Sequence, residues 1–185
     1  MERKLGIFAE CLRGVSATDA LPLIKKAGFN CFETGRFKRE GVKELIEVGN
    51  DLGLICDAIH APFMFNDAYC NDMWRGGERC LKMYNSYMET IDTASEFGIP
   101  HIVIHFMGNL KTPLVCDDGL KRFDEVVAYA QQKGISIAFE NLEGEEYLAA
   151  LLERYQTLPQ VGFCWDSGHD SCYLHKTDFL QCYGQ

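Results

Sequence analysis

The sequence predicts an α/β fold: a parallel sheet built from repeated strand–helix units, with about six of the eight units that close a (β/α)8 barrel. Three observations carry it. Six short apolar runs alternate with amphipathic stretches along the whole chain. Four of those stretches end in a glycine followed by an apolar residue. Five of the six runs close on a histidine or a carboxylate.

Leu5–Phe8 is the first strand. Ser16 and Asp19 then supply a helix start, and Ala20, Ile24 and Ala27 form the buried stripe of the first helix. Gly28 stops it, because glycine accepts the left-handed conformation that other residues resist. Asn30–Glu33 is the second strand. Val42, Leu45, Ile46 and Gly49 mark the second helix, which ends at Gly53. Leu54–His60 follows. Pro62 to Gly77, the longest loop-like stretch, either covers the end of the sheet or simply connects. A long helix carries Leu81, Tyr84, Met88, Ile91 and Ala94 and stops at Gly98. Strand His101–His105 leads to a helix with Leu120, Phe123, Val127 and Ala130, ended by Gly134. Ile135–Glu140, a weaker helical stripe from Tyr147 to Leu152, and Val161–Asp166 complete the alternation, with His175 expected inside a sixth helix.

Strands that alternate with helices run parallel, because each crossover helix returns the chain to the same edge. A doubly wound sheet shares this grammar, but no G-x-G-x-x-G follows the first run, where dinucleotide folds carry it. A closed TIM-type barrel needs roughly 250 residues and two more units. Residues 1–185 therefore read as one domain, a barrel incomplete at its C-terminus, and we expect the natural protein to continue past Gln185.

Composition narrows the function. Hydrophobic residues make up 47% of the chain and charged residues 24%, as in ordinary globular proteins. No apolar run is long enough for a membrane span, and the start, Met1-Glu2-Arg3-Lys4, lacks a signal-peptide core. A cytoplasmic location is the expectation. The nine cysteines include no C-x-x-C pair and read as reduced thiols. A net charge of −9 argues against a general nucleic-acid surface.

Strand parity then sorts the side chains. Ile135, Ile137 and Phe139 share one face; Ser136, Ala138 and Glu140 share the other. Val161, Phe163 and Trp165 oppose Gly162, Cys164 and Asp166 in the same way. The bulky faces suit helix packing and the small faces point into the barrel. On that parity Glu33, His60, His105, Glu140 and Asp166 all close their strands at the C-terminal rim, where parallel barrels build active sites. His169, after the Ser167-Gly168 turn, reaches the same cavity. A buried acid such as Asp166 needs a cation, and carboxylate with imidazole suits Zn²⁺, Mn²⁺ or a similar divalent ion. His101 opens its strand at the far end, and neither it nor His175 is given a role. Asp57 has no account in the sequence.

At these residues the chain resembles the xylose-isomerase-like TIM-barrel superfamily, which holds sugar phosphate isomerases and epimerases beside abasic-site endonucleases. The matching pieces are IHAPF at 59–63, VIHFMGN at 103–109, IAFENL at 137–142 and FCWDSGH at 163–169. In the isomerase branch one divalent ion (Mn, Zn, Mg or Co) is held by a Glu on strand five, an Asp on strand six, a His on strand seven and a Glu on strand eight. The resemblance implies that Glu140 and Asp166 are the first two ligands, and the other two fall beyond Gln185. It further implies that Glu140 is catalytic, one of a glutamate pair that moves a proton beside a substrate carbonyl through an enediolate. His169 matches a substrate-binding position; His60, His105 and Glu33 are assigned to substrate as well. Phe63 and Trp74 either line the sugar pocket or pack.

Three functions follow. The first is a metal-dependent isomerase or epimerase of a small sugar, polyol or sugar phosphate. The second is a zinc-dependent abasic-site endonuclease, for which His60 and His105 match extra zinc positions. The third is a catalytically incomplete barrel fragment that binds a ligand or pairs with another copy, since open sheet edges invite association.

Overall fold

A computed structural model of the protein describes residues 4–108, 111–173 and 175–184. Six strands, β1 (Gly6–Phe8), β2 (Cys31–Thr34), β3 (Ile55–His60), β4 (His101–Ile104), β5 (Ser136–Glu140) and β6 (Val161–Cys164), form one parallel sheet in chain order. Each lies within one or two residues of its predicted bounds. Among the described residues β1 and β6 have one neighbour each, so the sheet stays open. Asn109, the last residue of the VIHFMGN segment, lies outside the described residues, as do Met1–Arg3 and Gln185.

Five helices make the crossovers: α1 (Ala17–Lys26), α2 (Arg39–Leu52), α3 (Gly77–Phe97), α4 (Asp117–Gln132) and α5 (Glu145–Tyr155). Ser16 starts α1 as its sequence predicts: the Asp19 N–H donates to its Oγ at 3.1 Å. Gly53 and Gly98 end α2 and α3 at φ 64° and 67°, the left-handed region where a side chain is strained. Two short helices, α6 (Ser167–Tyr173) and α7 (Phe179–Tyr183), follow the last strand.

The outer face of the sheet holds the core. Phe32, Ile59, Ile102, Ile137 and Phe139 are buried against Leu21, Leu45, Tyr87, Phe123 and Leu148 from the helices. Fully burying one such side chain stabilises by about 1.5–3 kcal/mol. Stability therefore rests on the outer face, and the small inner face (Cys56, Ala58, Ala138, Gly162, Cys164) is free to carry polar groups at its tips. Gly49 lets α2 close on β2, since a Cβ there would stand 3.0 Å from the Phe32 ring.

The Pro62–Gly77 stretch does both things open to it. Met64–Phe65 pairs antiparallel with Ala68–Tyr69, and Cys70–Trp74 forms a 3₁₀ turn. Phe63, at its start, faces the sheet mouth. Trp74, at its end, is core instead of pocket lining: it is 3% exposed and packs on Phe123 and Tyr147, and its Nε1–H donates to the Phe106 carbonyl at 2.7 Å. Gly119 makes room for that indole.

One histidine placement changes and one holds. His175 lies between α6 and α7, outside either helix, and its Nε2–H donates to the Leu142 carbonyl at 2.7 Å. His101 does sit at the far end, with Nδ1 3.0 Å from the Asp57 carbonyl. The Asp57 side chain has its explanation in Lys4, whose Nζ meets it at 2.5 Å and ties down the start of β1. All nine cysteines are free. No helix among the described residues is long and apolar enough to cross a membrane.

Candidate active site

A cavity of about 620 Å³ opens at the C-terminal ends of the strands. Glu33, His60, His105, Glu140, Asp166 and His169 all line it, so every site residue expected from the sequence reaches one space. Register explains the convergence. His60 is level with Val103 and Ala138, and Glu140 with Cys164, so His60, Glu140 and Asp166 step along the rim by two residues each and all stay on the inner face.

Glu140 is the hub. It is only 5% exposed, and its Oε2 accepts from His105 Nε2 at 2.9 Å and His60 Nε2 at 3.1 Å. Burial alone would raise its pKa, but the two hydrogen bonds and the imidazole charges outweigh it and hold the carboxyl at about 2. Burial pulls His60 down; the bond to Glu140, the Glu140 charge and the Ala61 carbonyl 3.1 Å from Nδ1 overcome it, and the net shift is upward. Glu33 moves the other way from Glu140. Burial raises it, and with no hydrogen bond to its carboxylate among the described residues, His60 offsets only part. Phe63 stacks on the His105 ring at 5.5 Å and walls the cavity.

The other Glu140 oxygen faces a different neighbour. His169 Nδ1 stands 3.0 Å from Oε1 and 4.0 Å from Asp166 Oδ1. It is buried, yet no group is aligned to hydrogen-bond with it among the described residues. A buried, unpartnered nitrogen is costly, and a bound cation would satisfy it. Donor atoms from Glu140, Asp166 and His169 all lie within 4.8 Å of one another. Two donors on one zinc-sized ion are separated by at most about 4.4 Å, twice the bond length, so small side-chain adjustments would close the set. These residues fit a divalent ion. His60, His105 and Glu140 form a second such group that shares Glu140.

Sequence reasoning gave Asn141 no role. It is 0% exposed, and its side chain bonds both the N–H and the carbonyl of Asp166. The only hint was its place directly after the strand-end acid in IAFENL. The Asp166 carboxylate in turn accepts the His169 N–H at 2.6 Å.

Comparison with known proteins agrees with this architecture. The family model for the xylose isomerase-like TIM barrel matches residues 21–183. No curated protein matches the chain. Among solved structures, the 3-keto-D-glucoside 4-epimerase YcjR from E. coli superposes with a TM-score of 0.73 at 17% identity, covering 97% of this chain and 73% of that one. A D-allulose 3-epimerase from Methylomonas sp. gives 0.74 at 14% identity, over 96% and 67%. A xylose isomerase domain protein from Planctomyces limnophilus gives 0.66 at 17%, over 89% and 63%. The chain thus spans about two thirds of the length of these structures, and at such identities the likeness carries the fold. With the polar rim of its parallel sheet and a family match over nearly its whole length, the chain belongs to the xylose isomerase-like TIM-barrel family.

Proposed function

We propose that this chain carries part of the active site of a divalent-metal-dependent isomerase or epimerase acting on a small sugar, polyol or sugar phosphate. The observation that carries the reading is the buried His169 Nδ1, which faces Glu140 Oε1 at 3.0 Å and Asp166 at 4.0 Å with no aligned hydrogen bond. The similar structures, epimerases of a keto-glucoside and of D-allulose, support the substrate class.

Glu140 and Asp166 would hold the ion, with His169 as the nearest further donor. A bound Mn²⁺, Zn²⁺, Mg²⁺ or Co²⁺ supplies a Lewis acid that polarises a substrate carbonyl. The protein supplies the rest. Glu140 is kept ionised and can take a proton from the carbon beside that carbonyl, giving an enediolate. His60 and His105 stabilise its carboxylate and form the part of the cavity wall that a sugar would touch. Glu33, whose pKa is raised, holds a proton to higher pH than an ordinary carboxyl, so one cavity offers an acceptor and a donor. Phe63 gives an apolar surface for a sugar face. A cytoplasmic setting suits nine free thiols.

Full-length protein loaded with each metal and offered a panel of ketoses and inososes in D₂O tests this. Deuterium should enter beside the carbonyl, and Glu140→Gln should abolish it. If no substrate in the panel exchanges under any metal, the assignment fails.

The second metal-ligand group, His60, His105 and Glu140, favours one alternative: a zinc-dependent endonuclease acting at abasic sites. Chelator-sensitive cutting of an abasic duplex at low salt would support it, and the charge of −9 stands against it. The open edges at β1 and β6 favour pairing with a second copy.

A further inference from the structure

We propose that Asn141 is the positioning residue that sets the geometry between Glu140 and Asp166. The role rests on the reading above, that these two carboxylates hold an ion. Backbone pairing between β5 and β6 ends at Glu140 and Cys164, with one more bond from the Asn141 N–H to the Cys164 carbonyl at 3.2 Å. Beyond that point the side chain of Asn141 continues the ladder. Its Oδ1 accepts the Asp166 N–H at 2.5 Å, and its Nδ2 donates to the Asp166 carbonyl at 2.9 Å. A side-chain amide thus replaces a peptide group at the next rung.

The partners fix the orientation of that amide, since the N–H needs an acceptor and the carbonyl needs a donor. Aspartate lacks the donor and alanine lacks both groups. Asn141 is fully buried and absent from the cavity lining, so it acts through Asp166 without touching substrate. Its place in the chain makes the effect specific. Glu140 precedes it directly, so one residue links the two carboxylates. The clamp reaches further, because the Asp166 carboxylate holds the His169 N–H. β6 has no neighbour on its other side among the described residues; the Asp170 N–H also donates to the Asp166 carbonyl at 3.0 Å, but only Asn141 holds the Asp166 N–H and ties this backbone to β5.

Mn²⁺ titrations followed by electron paramagnetic resonance test the inference on wild type, Asn141→Ala, Asn141→Asp and Tyr155→Phe. Each is measured well below its own melting temperature. Both Asn141 variants should bind Mn²⁺ about 10–100-fold more weakly, the usual cost of losing a residue that orients a metal ligand. Tyr155→Phe loses the Tyr155–Asp124 bond of 2.9 Å, remote from the cavity, and should melt earlier while keeping its affinity. Asn141→Asp keeps the side-chain shape and carries the test if the alanine variant does not fold. Wild-type affinity in the Asn141 variants overturns this inference alone. A wild type that binds no Mn²⁺ overturns the metal reading and this role with it.

Discussion

His105 Nε2 lies 2.9 Å from Glu140 Oε2, the same oxygen that His60 Nε2 reaches at 3.1 Å. Two imidazoles on one oxygen leave Oε1 turned toward His169 and Asp166. A single carboxylate therefore joins the histidines at the ends of β3 and β4 to His169 and Asp166 beyond β6, and its charge helps to raise the His60 pKa.

That dependence can be measured directly on His60. In Glu140→Gln the hydrogen bond and the charge that raise the His60 pKa are both weakened, while the burial that lowers it remains. The imidazole should titrate below its wild-type value. Its ring-proton shifts, followed by NMR against pH, would show this, and an unmoved titration would mean that Glu140 is not the controlling charge.

Stability should follow pH in a defined window. The Glu140 carboxyl is depressed from 4.5 to about 2, so its contribution is present above pH 4.5 and is lost as pH falls toward 2. The amount is on the order of 3 kcal/mol at most. His60 works with the opposite sign: its raised pKa contributes below 6.5 and fades as pH rises through the folded value. Urea unfolding at pH 3, 5 and 8 should give the highest stability in the middle, and Glu140→Gln should flatten the acid side.

Glu33 should reveal a cost of function. Its raised pKa means that folding disfavours its charged form, so at neutral pH it detracts from stability. Glu33→Gln should raise the melting temperature at pH 7 and do little at pH 4, where the carboxyl is protonated in the folded protein. A lower melting temperature at pH 7 would show that the carboxylate has a stabilising partner after all.

Much of this architecture was legible in the sequence because it rests on periodicity. Strand alternation put Glu33, His60, His105, Glu140 and Asp166 on one face and at one end, and the structure keeps them there. Helix stops needed only glycine at Gly28, Gly53, Gly98 and Gly134, each with positive φ. What could not be read depends on partners far away in sequence. Phe63 and Trp74 share one loop and look alike as aromatics, yet one walls the cavity and the other is buried on Phe123 and Tyr147. Asn141 gains its role from a backbone segment that follows 25 residues later. Which Glu140 oxygen faces which histidine is a matter of side-chain rotation, and no spacing encodes it.

Trp74 offers a packing test separate from the site. A Cβ at Gly119 would stand 2.2 Å from the indole, far inside contact distance. Gly119→Ala should therefore destabilise by about 1–3 kcal/mol, the usual cost of overpacking a filled core. Divalent-metal affinity should not change, since the indole is away from the cavity. A loss of affinity with unchanged stability would return Trp74 to the pocket.

Metal should stabilise the folded protein through His169. Binding to the native state alone contributes RT ln(1 + [L]/Kd), about 2.7 kcal/mol at one hundred times Kd. In a domain of this size that moves the melting temperature by roughly 5–10 °C. Added Mn²⁺ or Zn²⁺ should give such a rise, and a chelator should reverse it. His169→Ala separates this site from adventitious binding. The Nδ1 it removes has only an unaligned 3.0 Å contact with Glu140 Oε1 to lose, so the metal-free variant should lose little stability while its metal-induced rise shrinks. An equal rise in both proteins would mean that the ion is held elsewhere, by ligands that do not include the imidazole beside Glu140 and Asp166.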